Sequence, residues 1–186
     1  MPGITIDATA GGSASNSFAS ETEYTAYTAT LINVPVGTTV SGSTCTENEK
    51  KALVMSFRAF NALRWKARKT SLTQSGAWPQ FYAENPDAPG LWGTSLWYGM
   101  YWASDLVPDR VKFGQIELAL AILGAGTTDI FAADPNQGIV QETVDVITTK
   151  WTDYARPVGL YRFPQVMAQI GPMLDSTSGG ILIQRM

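Results

Sequence analysis

A mainly α domain of the α+β kind, a helical bundle with a small β-strand or hairpin element and extended N- and C-terminal arms, is the fold class predicted for these 186 residues. Three observations lead there. Glu47 to Lys69 opens with the spacing of a capping box and keeps apolar residues three or four apart. Asp105 to Leu123, DLVPDRVKFGQIELALAIL, is apolar almost all the way round, so a helix there has to be enclosed. Within Ile139 to Tyr154, the residues Val140, Glu142, Val144, Val146 and Thr148 alternate as a strand or hairpin would.

Each element follows in order. Ile4 to Ile6 and the Gly, Ala and Ser tract Ala8 to Ser17 have little to bury and read as an extended arm, residues 1–19. Ser20 followed by Glu21 and Glu23 suits a helix start, and Tyr24, Tyr27 and Leu31 recur at helical spacing, predicting a short helix over Glu21 to Ile32. Val34 to Ser43, with Pro35, Gly37 and Gly42, is a loop with room for a short strand. Thr46 and Glu49 then open the second helix, in which Leu53, Phe57, Phe60, Leu63 and Ala67 form the apolar face. Thr70 to Ser104 is irregular and rich in aromatic residues, the kind of long loop that usually serves function or assembly. Pro108 suits the first position of the third helix, because its missing N–H has no partner to lose there, and Gly124 and Gly126 stop it. A short helical pattern at Pro164 to Leu174 precedes the link Ser176 to Gly180 and an apolar terminus. Residues 20–175 therefore read as one domain, with its β element near 139–154, and 176–186 as a docking tail.

Composition narrows the function. With 45% hydrophobic and 16% charged residues the chain is globular, and its net charge of −3 hides a polarity: Glu47 to Lys69 holds seven of the thirteen basic residues against two acids. One cysteine, Cys45, and no histidine leave no intrachain disulfide, no usual zinc or haem ligand set, and no histidine-based triad. No apolar run approaches the roughly 20 residues that span a bilayer, and the N-terminus lacks the form of a secretion signal, so no membrane partner and an intracellular origin are expected.

Candidate catalytic acids have plainer explanations. Asp105 and Asp109 flank a helix start, where acids complement the dipole; Glu84 and Asp87 border the aromatic loop without forming a defined pair. Glu117 in its apolar helix is expected to pair with Arg110 or Lys112. The sequence GGSAS at Gly11 lacks the lysine of a phosphate loop. Neither an enzyme activity nor a cofactor is indicated. The cluster Arg64, Lys66, Arg68 and Lys69, with Trp65 inside it and Trp78 beyond, has the charge and aromatic surface of a single-strand binder; on a helix end it would equally be a solvated face complementing the dipole. The tryptophans suit either a core under the loop or a protein interface.

The segments IDATAGGSASNSFASETEYTAY at 6–27, Lys51 to Leu63, Trp78-Pro79, LVPDRVKFGQIELAL and the terminal FPQV, PML and ILIQR together resemble a tailed-phage head-tail adaptor, a family whose members include head completion proteins and DnaT-like single-strand binders. Pro108, Val111, Lys112, Glu117, Leu118 and Ala119 match its most specific segment, while Phe18 stands where the family has tyrosine, and the stretches Val34 to Thr44 and Leu91 to Trp102 depart from it. The resemblance implies a structural virion protein at the viral neck, assembled in the host cytoplasm. It implies a homo-oligomeric, dodecameric ring joining the portal protein to a tail, stopper or tail-terminator protein, with genomic double-stranded DNA passing through the lumen. On that reading Arg58, Arg64, Lys66, Arg68 and Lys69 make subunit or channel contacts; Trp92, Trp97, Tyr101 and Trp102 are interface aromatics; and Ile181, Leu182, Ile183 and Arg185 dock on the portal. The alternative is a free single-stranded DNA-binding protein that uses Arg58 to Lys69 and the nearby tryptophans.

Val111, Leu118 and Ile122 are expected to pack against Phe57 and Phe60. Leu118→Asp should abolish folding, because a carboxylate without a partner in the core costs more than a domain's few kcal/mol of stability. A soluble, compact Leu118→Asp protein, seen by circular dichroism and gel filtration, would place that helix at a surface.

Overall fold

The structure, a computed structural model, describes residues 3–42, 44–88, 100–125, 141–144, 147–150 and 159–175. Helix α1 (Glu21–Thr28) begins at a complete capping box: Glu23 N donates to Ser20 Oγ at 3.2 Å, and Ser20 N donates to Glu23 Oε2 at 2.8 Å. It stops four residues short of the expected Ile32. Thr30 and Thr28 turn their hydroxyls onto the carbonyls of Tyr27 and Thr25, at 2.7 and 3.0 Å, and Thr28 Oγ1 also reaches Thr39 O at 2.8 Å, offering the backbone an alternative to another helical turn.

Helix α2 (Glu47–Asn61) starts at the Thr46 and Glu49 capping box but ends eight residues before Lys69. Its last carbonyls are claimed locally: Ala62 N bonds Arg58 O and Ala59 O, Leu63 N bonds Phe60 O, and the Trp65 indole N–H donates to Phe60 O at 3.0 Å. Asn61 Oδ1 takes the Ala77 N–H at 2.6 Å, so the helix end is also bound to the loop that follows. Arg64 to Lys69 are consequently not helical, and they do not complement the α2 dipole; only Arg58 lies in its last turn.

Helix α3 (Asp109–Ala125) follows Pro108, which stands just ahead of it and contributes its carbonyl to Val111 N and Lys112 N at 2.9 and 3.2 Å. Its Val111, Ile116, Leu118 and Ala119 are fully buried with Leu53 and Phe60 of α2. Helix α4 (Pro164–Ile170), between two 3-10 turns at Gly159–Arg162 and Gly171–Met173, closes the other side with Val166 and Ile170. Gly114 marks the crossing: a Cβ there would lie 2.9 Å from Ile170 Cγ2 and 3.4 Å from Phe60 Cζ, so the three helices approach more closely than any larger residue allows. Among the described residues two antiparallel ribbons complete the fold. β1 (Arg68–Lys69) pairs with β2 (Gln80–Phe81), and the expected hairpin is present as β3 (Gln141–Val144) and β4 (Ile147–Lys150), in register Gln141 to Lys150 and Val144 to Ile147. Among the described residues no helix is long and apolar enough to cross a membrane.

Residues 3–19 carry no helix or strand and lie across the bundle, anchored at both ends. Ile4 N donates to Glu47 Oε2 at 3.1 Å, and Phe18 enters the core with its ring centroid 4.7 Å from that of Phe57. The anchor is Gln115, fully buried in the middle of α3. Its Oε1 accepts from Phe18 N and Ala19 N at 2.8 and 3.0 Å, and its Nε2 donates to Ser17 Oγ and to Leu53 O of α2 at 3.0 and 2.9 Å. The chain after α1 is held in the same way by Glu49, whose carboxylate accepts from Thr39 N (2.5 Å), Thr39 Oγ1 (2.8 Å) and Thr46 N (2.6 Å). Glu117 does not pair with Arg110 or Lys112. It accepts the Tyr27 hydroxyl at 2.6 Å, while Lys112 reaches Glu23 at 2.6 Å and Arg110 is taken by Asp87, since α1 and the 85–88 turn stand nearer to those cations than the next turns of their own helix do.

Two outcomes follow from these buried polar groups. Gln115→Leu keeps the side chain's bulk but orphans the N–H groups of Phe18 and Ala19; urea unfolding should show a loss of about 2–5 kcal/mol, and limited proteolysis should cut within 3–19 first. Burial pushes the Glu49 carboxyl up, but the hydrogen bonds from Thr39 and Thr46 outweigh it and hold the group below its ordinary value. Its folded form thus binds a proton less readily than its unfolded form, so the stability it contributes is present above about pH 4.5 and fades as pH falls through the depressed value. Urea midpoints measured from pH 7 to pH 3 should drop for the native chain and drop less for Glu49→Gln.

Candidate nucleic-acid interface

Past α2 the chain alternates. Leu63, Trp65 and Ala67 turn inward against the core, while Arg64, Lys66 and Arg68 are exposed, and the backbone bends at Lys66 and Ala67 before it enters β1. The segment is held by the last described stretch of chain: Trp65 and Leu174 form an antiparallel bridge, Lys66 N donates to Met173 O and Asp175 N to Arg64 O, both at 3.1 Å. Three cations, Arg64, Lys66 and Arg68, therefore share the solvent side of this segment. Lys69 is exposed beside them. Lys66 is steadied by a bond from Nζ to Pro172 O at 2.7 Å, which leaves its other protons facing outward.

Ribbon β1–β2 brings aromatic surface to this row. Arg68 stands directly across from Phe81, so the two side chains share one face, and both are exposed. The loop that joins the strands is held by buried Gln74, which accepts from Thr70 Oγ1 and Ser71 N and donates to the carbonyls of Gly76 and Pro79, all within 2.9 to 3.0 Å. Gly76 lets it pass over the core, since a Cβ there would sit 2.8 Å from Phe18 Cε1. Immediately after β2, Tyr82 adopts φ 53°, a left-handed conformation that costs a bulky residue about 1–2 kcal/mol. Its side chain is 80% exposed.

A second short ladder places a third ring. Asn85 N donates to Met100 O at 2.7 Å and Trp102 N to Ala83 O at 2.8 Å, which sets Tyr101 against Tyr82 edge to face, centroids 6.0 Å apart. Phe81 and Tyr82 are 6.3 Å apart. At the base of this ladder Asp87 grips Arg110 of α3, which holds the Asp87 carboxyl below the ordinary carboxylate range. The surface is thus a row of cations continuing into Phe81, Tyr82 and Tyr101, mounted on backbone that is hydrogen-bonded on both sides.

The residues singled out from the sequence separate. Arg64, Lys66, Arg68 and Lys69 are all exposed on the segment that follows α2, whereas Arg58 is exposed on α2 itself. Trp65 and Trp78 lie beneath the surface rather than on it, with rings packed edge to face at 5.5 Å and Trp78 only 2% exposed. Trp102 packs partly buried on the core, and Tyr101 next to it is exposed, again by alternation. Trp92, Trp97 and the tail residues Ile181, Leu182, Ile183 and Arg185 lie outside the described residues. Phe81 and Tyr82 were missed from the sequence. Their adjacency, two residues past Pro79 and followed by no apolar pattern, is the only signal that could have marked them.

Residues 3–186 match the family described as "Putative DnaT-like ssDNA binding protein", and the chain belongs to that family. No curated protein and no solved structure shows significant similarity to it. The match carries the DnaT-like part of the expectation and does not extend to a head-tail adaptor.

Proposed function

We propose that this member of the DnaT-like family binds single-stranded DNA along the Arg64, Lys66 and Arg68 row, without catalysis and without a cofactor. The observation that carries the reading is the pairing of Arg68 with Phe81 on one exposed face. Sequence-tolerant single-strand binding needs charge that tracks the phosphates and rings on which bases stack, and here both are offered by adjacent strands. The family match supports the same ligand. A duplex keeps its bases stacked on each other and presents the rings with nothing to hold, so it binds through the cations alone.

Anisotropy of a labelled oligothymidylate tests this. With about three phosphates neutralised, affinity for single strands should fall about tenfold to twentyfold between 50 and 200 mM salt. The Arg64→Ala, Arg68→Ala double variant should bind more weakly and show a shallower salt dependence. No binding at low salt, or binding indifferent to salt and to both arginines, overturns the proposal.

Assembly into a head-to-tail adaptor ring is the second reading. It is favoured by Ile32 and Val36, which are almost wholly exposed (97% and 107%) on the loop bordering a groove of about 330 Å³ lined by Leu31, Pro35, Leu120 and Phe163. Such a knob beside a groove suits contact between copies of one chain. The portal, the tail-side partner and a place in the virion neck belong to this reading. A coaxial ring on a portal by electron microscopy, with no affinity for oligonucleotide, would select it over single-strand binding.

A further inference from the structure

We infer that Tyr82 is the base-stacking platform of this surface, and that its left-handed backbone is retained to present one ring face to an unpaired base. The inference rests on the single-strand reading and names the residue that distinguishes single strands from duplex. Three observations converge on it. Tyr82 is a bulky residue at φ 53°, where glycine or asparagine is the ordinary choice. Among the described residues its ring, 80% exposed, is neighboured by those of Phe81 and Tyr101, with centroids 6.3 and 6.0 Å away. And it directly follows the residue that faces Arg68, so a strand whose phosphate lies on Arg68 carries its next base over the ring.

The backbone conformation sets the direction. An extended residue after Phe81 would continue the strand's alternation and turn its side chain to the opposite, buried face, where Gln80 already points. The left-handed turn at Tyr82 reverses that and puts two consecutive aromatic residues on the solvent side. Tyr101 stands edge to face at 6.0 Å and an interplanar angle of 85°, which leaves it as a wall for the platform instead of a competitor for the stacked base. Recognition of this kind takes any base, since each has a π-face, and refuses bases already stacked in a helix.

The test uses the full chain and a labelled oligothymidylate, with an otherwise identical abasic strand as second probe. Tyr82→Ala should weaken oligothymidylate binding about 5- to 150-fold, the range for loss of one stacked base, while the slope of affinity against salt stays that of the native protein. Tyr82→Phe should bind within about twofold of the native chain, because the ring and not the hydroxyl carries the contact. Tyr82→Gly should lose affinity as alanine does yet unfold at the same or a higher temperature, since glycine adopts the left-handed conformation freely. The native chain should bind the abasic strand at least as weakly as Tyr82→Ala binds the normal one, since stacking on Phe81 is lost with it. If the native chain binds and Tyr82→Ala stays within twofold of it, or if the abasic strand binds equally well, the platform is overturned and single-strand binding stands. A Tyr82→Gly chain that melts well below the native one overturns the claim that the conformation is kept for binding. No binding by the native chain at low salt overturns both.

Discussion

The carboxamide of Gln115 is the constraint on which the rest of the structure depends. A primary amide buried in an apolar helix is tolerable only when its donors and acceptor are all used, and here it joins α3 to the α2 carbonyl of Leu53 and to three consecutive arm residues, Ser17 to Ala19. The position of Phe18 follows from that, and Phe18 in turn packs on Phe57 and is covered by the loop at Gly76. Because that loop joins β1 to β2, the exposed ribbon inherits its placement from a polar contact made on α3. The apolar residues supply most of the stabilisation; this amide selects one arrangement of them.

The helix starts were legible because their chemistry is local. Ser20 with Glu23, and Thr46 with Glu49, each satisfy two backbone donors within four residues, and no distant group has to be known. The end of α2 was not legible for a geometric reason. Leu63 and Ala67 are four apart, and a spacing of four falls on one face of a helix and on one face of a strand alike, so the apolar pattern ran on past Asn61 without contradiction. The cations between them carried the decisive information. Arg64, Lys66 and Arg68 alternate strictly with Leu63, Trp65 and Ala67, which a helix would scatter round its axis.

For the candidate site the same division holds. Charge is visible in a sequence, and the four cations from Arg64 to Lys69 are all exposed. Their aromatic counterpart was sought among tryptophans, the largest rings, of which the fold uses Trp78 and Trp65 underneath because burying them gains more than exposing them. Tyr82 escaped because its left-handed backbone has no residue signature: the run Phe81, Tyr82, Ala83, Glu84 contains no glycine to announce a turn. Glu117 illustrates the limit for ion pairs. Helical neighbours suggested Lys112 and Arg110, but both were drawn away by acids from other elements, leaving a phenol from α1 as the partner.

The docked arm bears on how the chain acquires its shape during synthesis. Ser17 and its partner Gln115 are 98 residues apart, so the arm leaves the ribosome long before the helix that receives it exists. Residues 3–19 bond among themselves, as Asp7 and Asn16 do, but Phe18 has no core to enter through that interval. Closure of the bundle is therefore a late event, governed by a contact between an earlier-made segment and a later-made helix, and the nascent chain exposes the α2 face around Phe57 until it happens.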